Sequence, residues 1–334
     1  MGEHTRGSTM TQRAIRFYET GGPEVLKVET ISVGEPGPGE VRVAHRAIGL
    51  NFIDTYHRSG LYPVPLPSGL GLEASGVVEA VGAGVTRFAV GDRVAFGSGA
   101  LGAYATASLR SEAQLLPIPE GVDDETAAAI MLKGMTAAYL LTQTRVLNAD
   151  DTILLHAAAG GTGLLMLQWA KDVGARVIGV VGSEEKAELV ARYGCDHILL
   201  RGRDNIPEQV RALTDGRGVP VVYDSVGRAT FEASLNSLAP RGLFVSFGNA
   251  SGPAPDVTPA VLAAKGSLFF TRPTLASYAQ TREELEGLAS AVFDRVARGA
   301  LTVEIHQRYA LKAAAEAHRH LESGTTQGAT ILKP

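Results

Sequence analysis

The sequence predicts an α/β protein of two domains: a β-rich N-terminal domain, then a doubly wound, six-stranded parallel sheet. Three observations predict it. From Arg13 to about Leu116, short apolar stretches at residues 40–44, 76–81 and 93–95 are cut by glycine and proline. From Thr152 onward, apolar strands alternate with helical segments, as in a parallel sheet covered on both faces. Where the texture changes, residues 152–163 (TILLHAAAGGTG) run from an apolar strand into a glycine-rich turn that opens a helix. At 334 residues the chain is also too long for one ordinary core.

Six strands are expected in the second domain, at 152–156, 176–181, 197–200, 219–224, 243–247 and 267–271, with a helix at 164–173 behind the glycine turn. Six parallel strands with that turn after the first make a full dinucleotide-binding sheet. A helix at 282–297, a strand at 301–310, a helix at 312–322 and a last strand at 329–332 are surplus to it. They are expected to return to the first domain. The predicted division is therefore 10–133 with 274–334 for the β-rich domain and 134–273 for the dinucleotide-binding domain. Residues 1–9, MGEHTRGST, are polar and precede a second methionine, and read as a leader outside the fold.

The turn carries the first functional inference. Ala158, Gly160 and Gly163 take the small positions of a G-x-G-x-x-G pattern, alanine replacing the first glycine. Small residues let the backbone approach a pyrophosphate, and the N–H groups opening the helix, at Gly161, Thr162 and Gly163, face the anion. An NAD-preferring site places a carboxylate at the end of the second strand. Here that place reads Gly182-Ser183, with Lys186 one helical turn later and Arg201 past the third strand. Room, a hydroxyl and two cations fit a 2′-phosphate and favour NADPH, although Glu184 and Glu185 stand alongside.

The net charge of −4, with no basic-aromatic stripe, gives no reason to expect nucleic acid as a partner. Cys195 is the single cysteine, which rules out intramolecular disulfides and fits a reducing cytoplasm. No apolar run reaches membrane-spanning length, so no membrane partner is expected. The sixth strand, SLFFT, is an apolar sheet edge, and edge-to-edge pairing into a homodimer is expected.

With the glycine turn placed behind a β-rich domain, the chain resembles the medium-chain dehydrogenase/reductase superfamily, and within it the zinc-independent NADPH:quinone oxidoreductases of the zeta-crystallin-like branch. The resemblance rests on GGPEVL (21–26), AIGLNFIDTYHRSGLYP (47–63), PSGLGLEASGVVEAVG (67–82), GDRVAF (91–96), HAAAGGTG (156–163), VVYDSVG (221–227), SFGNASG (246–252) and TRP (271–273). It implies a GroES-like first domain, a Rossmann second domain, and reduction of small quinones by NADPH. Zinc alcohol dehydrogenases of the superfamily carry cysteine and histidine where this chain has Asn51 and Leu72, so no catalytic zinc is implied. His57 alone makes no metal site, and His318 and His320 face different directions on a helix.

The resemblance further implies that Asn51, Asp54 and Tyr56 position nicotinamide and substrate, with Tyr62 as an aromatic cover and Arg272 lining the substrate. It places Thr136, Ser225, Phe247, Gly248, Asn249 and Ser251 along the cofactor. Relatives often carry an arginine in a stretch like SRATQ, where this chain has Gly324. Two alternatives stand beside quinone reduction: an NADPH-dependent enal or enone reductase, and an NADPH-binding structural or RNA-associated crystallin-like protein.

Overall fold

The computed structural model describes residues 11–334; the leader expected at 1–9 lies outside the described residues. Two compact units result. The first takes the described residues up to Leu132, Gln307–Arg319 and Thr330–Pro334, and the second takes Lys133–His306 and His320–Ala329.

In the first unit, β1 (Thr11–Phe17), β2 (Lys27–Ser32), β3 (Glu40–Leu50), α1 (Phe52–Ser59), β4 (Ser68–Gly69), β5 (Glu73–Val81), β6 (Arg93–Phe96), β7 (Ala107–Ser111) and β8 (Leu116–Pro117) follow one another. β1 holds β2 and β4 at its two edges, and β3 pairs antiparallel with both β5 and β7. Along β3, Val41, Val43 and His45 point inward at every second position, as a pleated strand with one covered face requires. Glycine at 76 is obligatory here, since a Cβ would lie 2.0 Å from the Ala44 carbonyl oxygen on the paired strand.

The helix α2 (Asp124–Tyr139) precedes the parallel sheet. That sheet is built of β9 (Thr152–His156), α3 (Gly161–Val173), β10 (Arg176–Val181), α4 (Glu184–Arg192), β11 (His197–Leu200), α5 (Ile206–Leu213), β12 (Val219–Asp224), α6 (Phe231–Ser237), β13 (Leu238–Ser246), α7 (Pro259–Ala264) and β14 (Phe269–Thr271). Its order, β11-β10-β9-β12-β13-β14, is that of a complete doubly wound sheet, with the reversal between β9 and β12. Leu154, Ile178, Val180, Val222 and Phe244 of the strands pack with Val210, Phe231 and Leu235 of the helices. Each such side chain contributes roughly 1.5–3 kcal/mol by leaving water.

The remaining elements are α8 (Leu275–Tyr278), α9 (Arg282–Ala297), β15 (Ile305–Ala310), α10 (Ala314–Glu322) and β16 (Ala329–Lys333). Residues 274–306 and 320–329, expected with the β-rich domain, fall instead in the second unit. The cause is α9: Arg295 lies 3.8 Å over the Trp169 ring of α3, and Arg295 and Arg298 both pair with Asp172 of the same helix. α9 starts where expected, at Arg282, because Thr281 and Glu284 close a capping box. β13 starts five residues earlier than its apolar run, since Leu238 already pairs with Val219 of β12 and the register resumes at Leu243 past an irregularity. The sixth strand is shorter than expected, and α3 opens at Gly161, ahead of its first large apolar residue.

Two histidines are buried in the first unit. Burial and the Arg110 charge lower the pKa of His45 from 6.5 to about 3, and burial and the Arg58 charge lower that of His318 equally. An unfolded chain protonates both as pH falls below 6.5, while the folded one resists until about 3, so stability present above 6.5 is lost on acidification. By about pH 5 each histidine removes on the order of 2 kcal/mol. Calorimetric Tm measured from about pH 7 to about pH 5 should fall, and less steeply in His318→Gln; equal slopes contradict the assignment.

Candidate active site

In the second unit, β9 ends at His156 and the chain turns through Ala157, held in the left-handed region at φ 52°. That conformation costs an alanine about 1 kcal/mol and steers the backbone toward the helix start. The Leu164 N–H donates to the Gly160 carbonyl at 2.8 Å, so the N–H groups of Gly161, Thr162 and Gly163 precede the first helical bond. A Cβ on Gly163 would lie 2.2 Å from the Ala157 carbonyl oxygen, so only glycine lets α3 start this close to β9. Ala158 is fully buried, and a Cβ at Gly179 would lie 3.2 Å from its methyl; it shapes the turn by packing, and its N–H is spent on the Val180 carbonyl. Lys133 covers Gly161, its Cδ 2.9 Å from where a Cβ would stand.

At the end of β10, Gly182 is exposed and Ser183 caps α4 by accepting from the Lys186 N–H at 3.3 Å. An Arg201 terminal nitrogen stands 3.7 Å from a Cβ built on Gly182. Burial and the Arg201 charge together lower the Lys186 pKa, as two converging cations require. The Lys186 ammonium rests on the Gly324 carbonyl at 2.5 Å. Of the two neighbouring carboxylates, Glu184 is drawn away by Arg203 at 2.8 Å, while Glu185 stays beside the site and accepts from the Ser183 hydroxyl at 3.4 Å. An anion is the fitting guest.

The loops beyond β12 and β13 are clasped together. Asp224 is fully buried and accepts from Val226 N–H, Gly227 N–H, Thr230 and Ser234, fixing the turn that carries Ser225. A Cβ on Gly248 would lie 2.6 Å from the Ser225 carbonyl oxygen, so the two loops touch at backbone distance. Ser251, expected along the cofactor, spends its hydroxyl on the loop: it donates to the Val226 carbonyl at 2.7 Å and accepts from Ala229 N–H at 3.0 Å. Phe247 and Asn249 are half-buried in the same segment, and Thr136 is half-buried on α2. Arg272 is exposed after β14 and donates to the Pro273 carbonyl at 3.0 Å.

In the first unit, Asn51 and Tyr56 are buried, and Tyr62 is half-buried with its ring edge-on to Tyr56 at 5.2 Å. The Asn51 amide donates to Glu73 Oε2 at 2.7 Å, and Glu73 Oε1 takes the Leu132 N–H at 2.8 Å. Asp54 has no exposed surface, and its Oδ2 accepts from the Asn51 N–H at 2.9 Å and from the Tyr104 hydroxyl at 2.8 Å, so it holds the start of α1. Glu73, Tyr104, Arg58 and His318 are buried hydrogen-bonding partners that residue types alone did not single out; the spacing of Asp54 and Arg58 one turn apart on α1 was the available signal.

A zinc ion does not fit this arrangement: positions 51 and 72 are Asn and Leu, and the Asn51 amide is bonded to Glu73. Among the described residues no three His, Cys, Asp or Glu side chains are grouped to hold a metal.

An antiparallel β unit followed by a six-stranded doubly wound sheet with a phosphate-type turn defines a medium-chain dehydrogenase/reductase. Residues 37–147 match the alcohol dehydrogenase GroES-like domain family and residues 161–293 the zinc-binding dehydrogenase family. A quinone oxidoreductase of Pseudomonas aeruginosa is 54% identical over 96% of this chain and 99% of its own. A solved structure of Escherichia coli quinone oxidoreductase complexed with NADPH is 46% identical, with a TM-score of 0.95 over 96% of this chain and 100% of that one. A 2-haloacrylate reductase of Burkholderia sp. is 44% identical over 95% of this chain and 98% of its own. The chain belongs to the quinone oxidoreductase family.

Lys186→Ala and Arg201→Ala should each raise the Kd for NADPH by about tenfold while moving that for NADH less than about twofold, read by quenching of Trp169 fluorescence or by calorimetry. Equal losses for both dinucleotides would remove the two cations from 2′-phosphate recognition.

Proposed function

We propose that the protein is an NADPH-dependent quinone oxidoreductase that works without a metal ion. The observation that carries this reading is the Asn51–Glu73 hydrogen bond, which gives a positioning amide the place of a metal ligand. A poorly electrophilic carbonyl needs a Lewis acid. A quinone does not, since its ring is electron-poor and gains aromaticity on reduction. The protein's work is then orientation and exclusion of water.

NADPH, when bound, supplies the hydride. Gly161–Gly163 are assigned to its pyrophosphate, and Gly182, Ser183, Lys186 and Arg201 to its 2′-phosphate, on the strength of the turn geometry and the two cations. Thr136, Ser225, Phe247, Gly248 and Asn249 are assigned to its nicotinamide half. Asn51 and Tyr56 are assigned to substrate positioning, the Tyr56 hydroxyl holding or protonating a substrate oxygen. Tyr62 covers the substrate and Arg272 lines it. We divide the chain functionally at 133/134, with residues 274–306 serving the cofactor unit.

The likeness to a haloacrylate reductase favours a second reading, hydride addition to an electron-poor carbon–carbon double bond, which needs the same metal-free orientation. Among the described residues no helix is long and apolar enough to cross a membrane. Cytoplasmic NADPH is the natural supply, and a single half-buried cysteine, its thiol pushed up to about 11 by burial, suits that compartment. A homodimer through β14 is supported by its edge position and by Phe269, 61% exposed there.

NADPH oxidation with 1,4-benzoquinone and 9,10-phenanthrenequinone should exceed that with trans-3-nonen-2-one by at least about tenfold in kcat/KM and survive chelator; enone-dominant turnover transfers the assignment to double-bond reduction. Phe269→Lys should convert a dimer to a monomer in light scattering, and a wild-type monomer at micromolar concentration contradicts the edge pairing.

A further inference from the structure

α1 carries two opposite charges one helical turn apart, Asp54 and Arg58, on a face that is closed to solvent: Asp54 has no exposed surface and Arg58 is 2% exposed. Buried charges persist only when they are hydrogen-bonded and compensated. Here the compensation runs through two other segments. An Arg58 terminal nitrogen lies 2.9 Å from His318 Nδ1, His318 Nε2 lies 3.0 Å from the Tyr104 hydroxyl, and that hydroxyl lies 2.8 Å from Asp54 Oδ2.

The direction of each bond follows from chemistry. A guanidinium only donates, so His318 Nδ1 accepts. The imidazole is neutral at physiological pH, being buried beside a cation, so its one proton sits on Nε2 and is donated to the Tyr104 oxygen. The Tyr104 hydroxyl, whose pKa burial and the Asp54 charge push well up, donates to the carboxylate. All bonds point from cation to anion, and no member has to ionise or accept a proton from outside.

We propose that His318 is a positioning residue for quinone reduction: it closes the hydrogen-bonded chain from Arg58 to Asp54 that sets the rotation of α1 about its axis. Tyr56 lies two residues from each charge, about 200° around the helix from them, so locking the charged face aims the tyrosine. Tyr62 follows, since its N–H donates to the Tyr56 carbonyl at 3.0 Å after Gly60 ends the helix in the left-handed region at φ 85°. Arg58 also clamps the Gly21 turn, donating from Nε to its carbonyl at 3.1 Å while its own carbonyl takes the Gly21 N–H at 3.1 Å. A side chain of the C-terminal helix α10 thereby governs a helix that lies 260 residues earlier in sequence.

The inference rests on the assignment of Tyr56 and Tyr62 to the quinone, and its tests separate the two. In the wild-type holoenzyme with ¹⁵N-labelled histidine, NMR at neutral pH should show His318 protonated at Nε2 and bare at Nδ1; the other tautomer or an imidazolium overturns the chain of bonds, whatever the substrate. Tyr104→Phe and His318→Phe should each lower kcat/KM for 1,4-benzoquinone by about tenfold with the NADPH Kd within about twofold. His318→Gln, whose amide offers Arg58 an acceptor and Tyr104 a donor, should recover most of that loss. A folded His318→Phe enzyme with unchanged quinone kinetics, a parallel loss of NADPH affinity, or a glutamine variant no better than phenylalanine overturns the proposal. Should both phenylalanine variants fail to fold, the tautomer decides. Failure of the quinone reading shows separately, as absence of quinone-dependent NADPH oxidation by the wild-type protein.

Discussion

The rest of the second unit depends on one close approach, the start of α3 against the end of β9. A Cβ at position 163 would stand 2.2 Å from a backbone oxygen, so glycine alone allows the helix to begin there with its first N–H groups collected over the turn. The strained Ala157 is the other half of the same device, a small conformational cost held by the packing of Ala158 beneath β10. Sheet order then does the rest. With β9 central and the reversal beside it, the ends of β10 and β12 flank the turn on its two sides, bringing Gly182 with its cations to one and Ser225 to the other.

The first unit solves a different problem, which is to hold polar side chains rigid without water. Glu73 and Asp54 are both fully buried carboxylates, and each is given donors from backbone and side chain. One orients the Asn51 amide and the other the helix that follows it. Such networks are favourable only when complete, since a single missing partner leaves a buried charge uncompensated.

How much of this was legible follows from how local each feature is. β9, β10, β11 and β12 were readable to the residue because each is an apolar run bounded by polar residues or glycine, and period and boundary agree. The start of β13 was not, because Ala239-Pro240-Arg241-Gly242 looks like a turn and is in fact an irregular stretch between Leu238, which pairs with Val219, and Leu243, which pairs with Val221. The destination of α9 hangs on Arg295 meeting Trp169, a contact between residues more than a hundred positions apart. The glycine turn and the approach of Lys186 and Arg201 to the end of β10 were legible since each sits in a short segment next to a strand end. The partners of Asp54 were not legible: Tyr104, which donates to it, and His318, bonded to Tyr104, come from segments far away in the sequence. The hydrogen bond of the Ser251 hydroxyl to the Val226 carbonyl, across two loops, was equally invisible.

A glycine turn closed by tight packing and aromatic side chains packed edge to face support a single proposal: this chain catalyses by fixing the mutual orientation of NADPH and an electron-poor ring. The most direct measurement uses NADPH deuterated at one or the other C4 position, with mass analysis of the NADP⁺ formed during quinone reduction. Orientation by a fixed site predicts that deuterium leaves from one of the two positions only. Loss from both positions alike would show that the cofactor is not held in one pose, and would contradict the account.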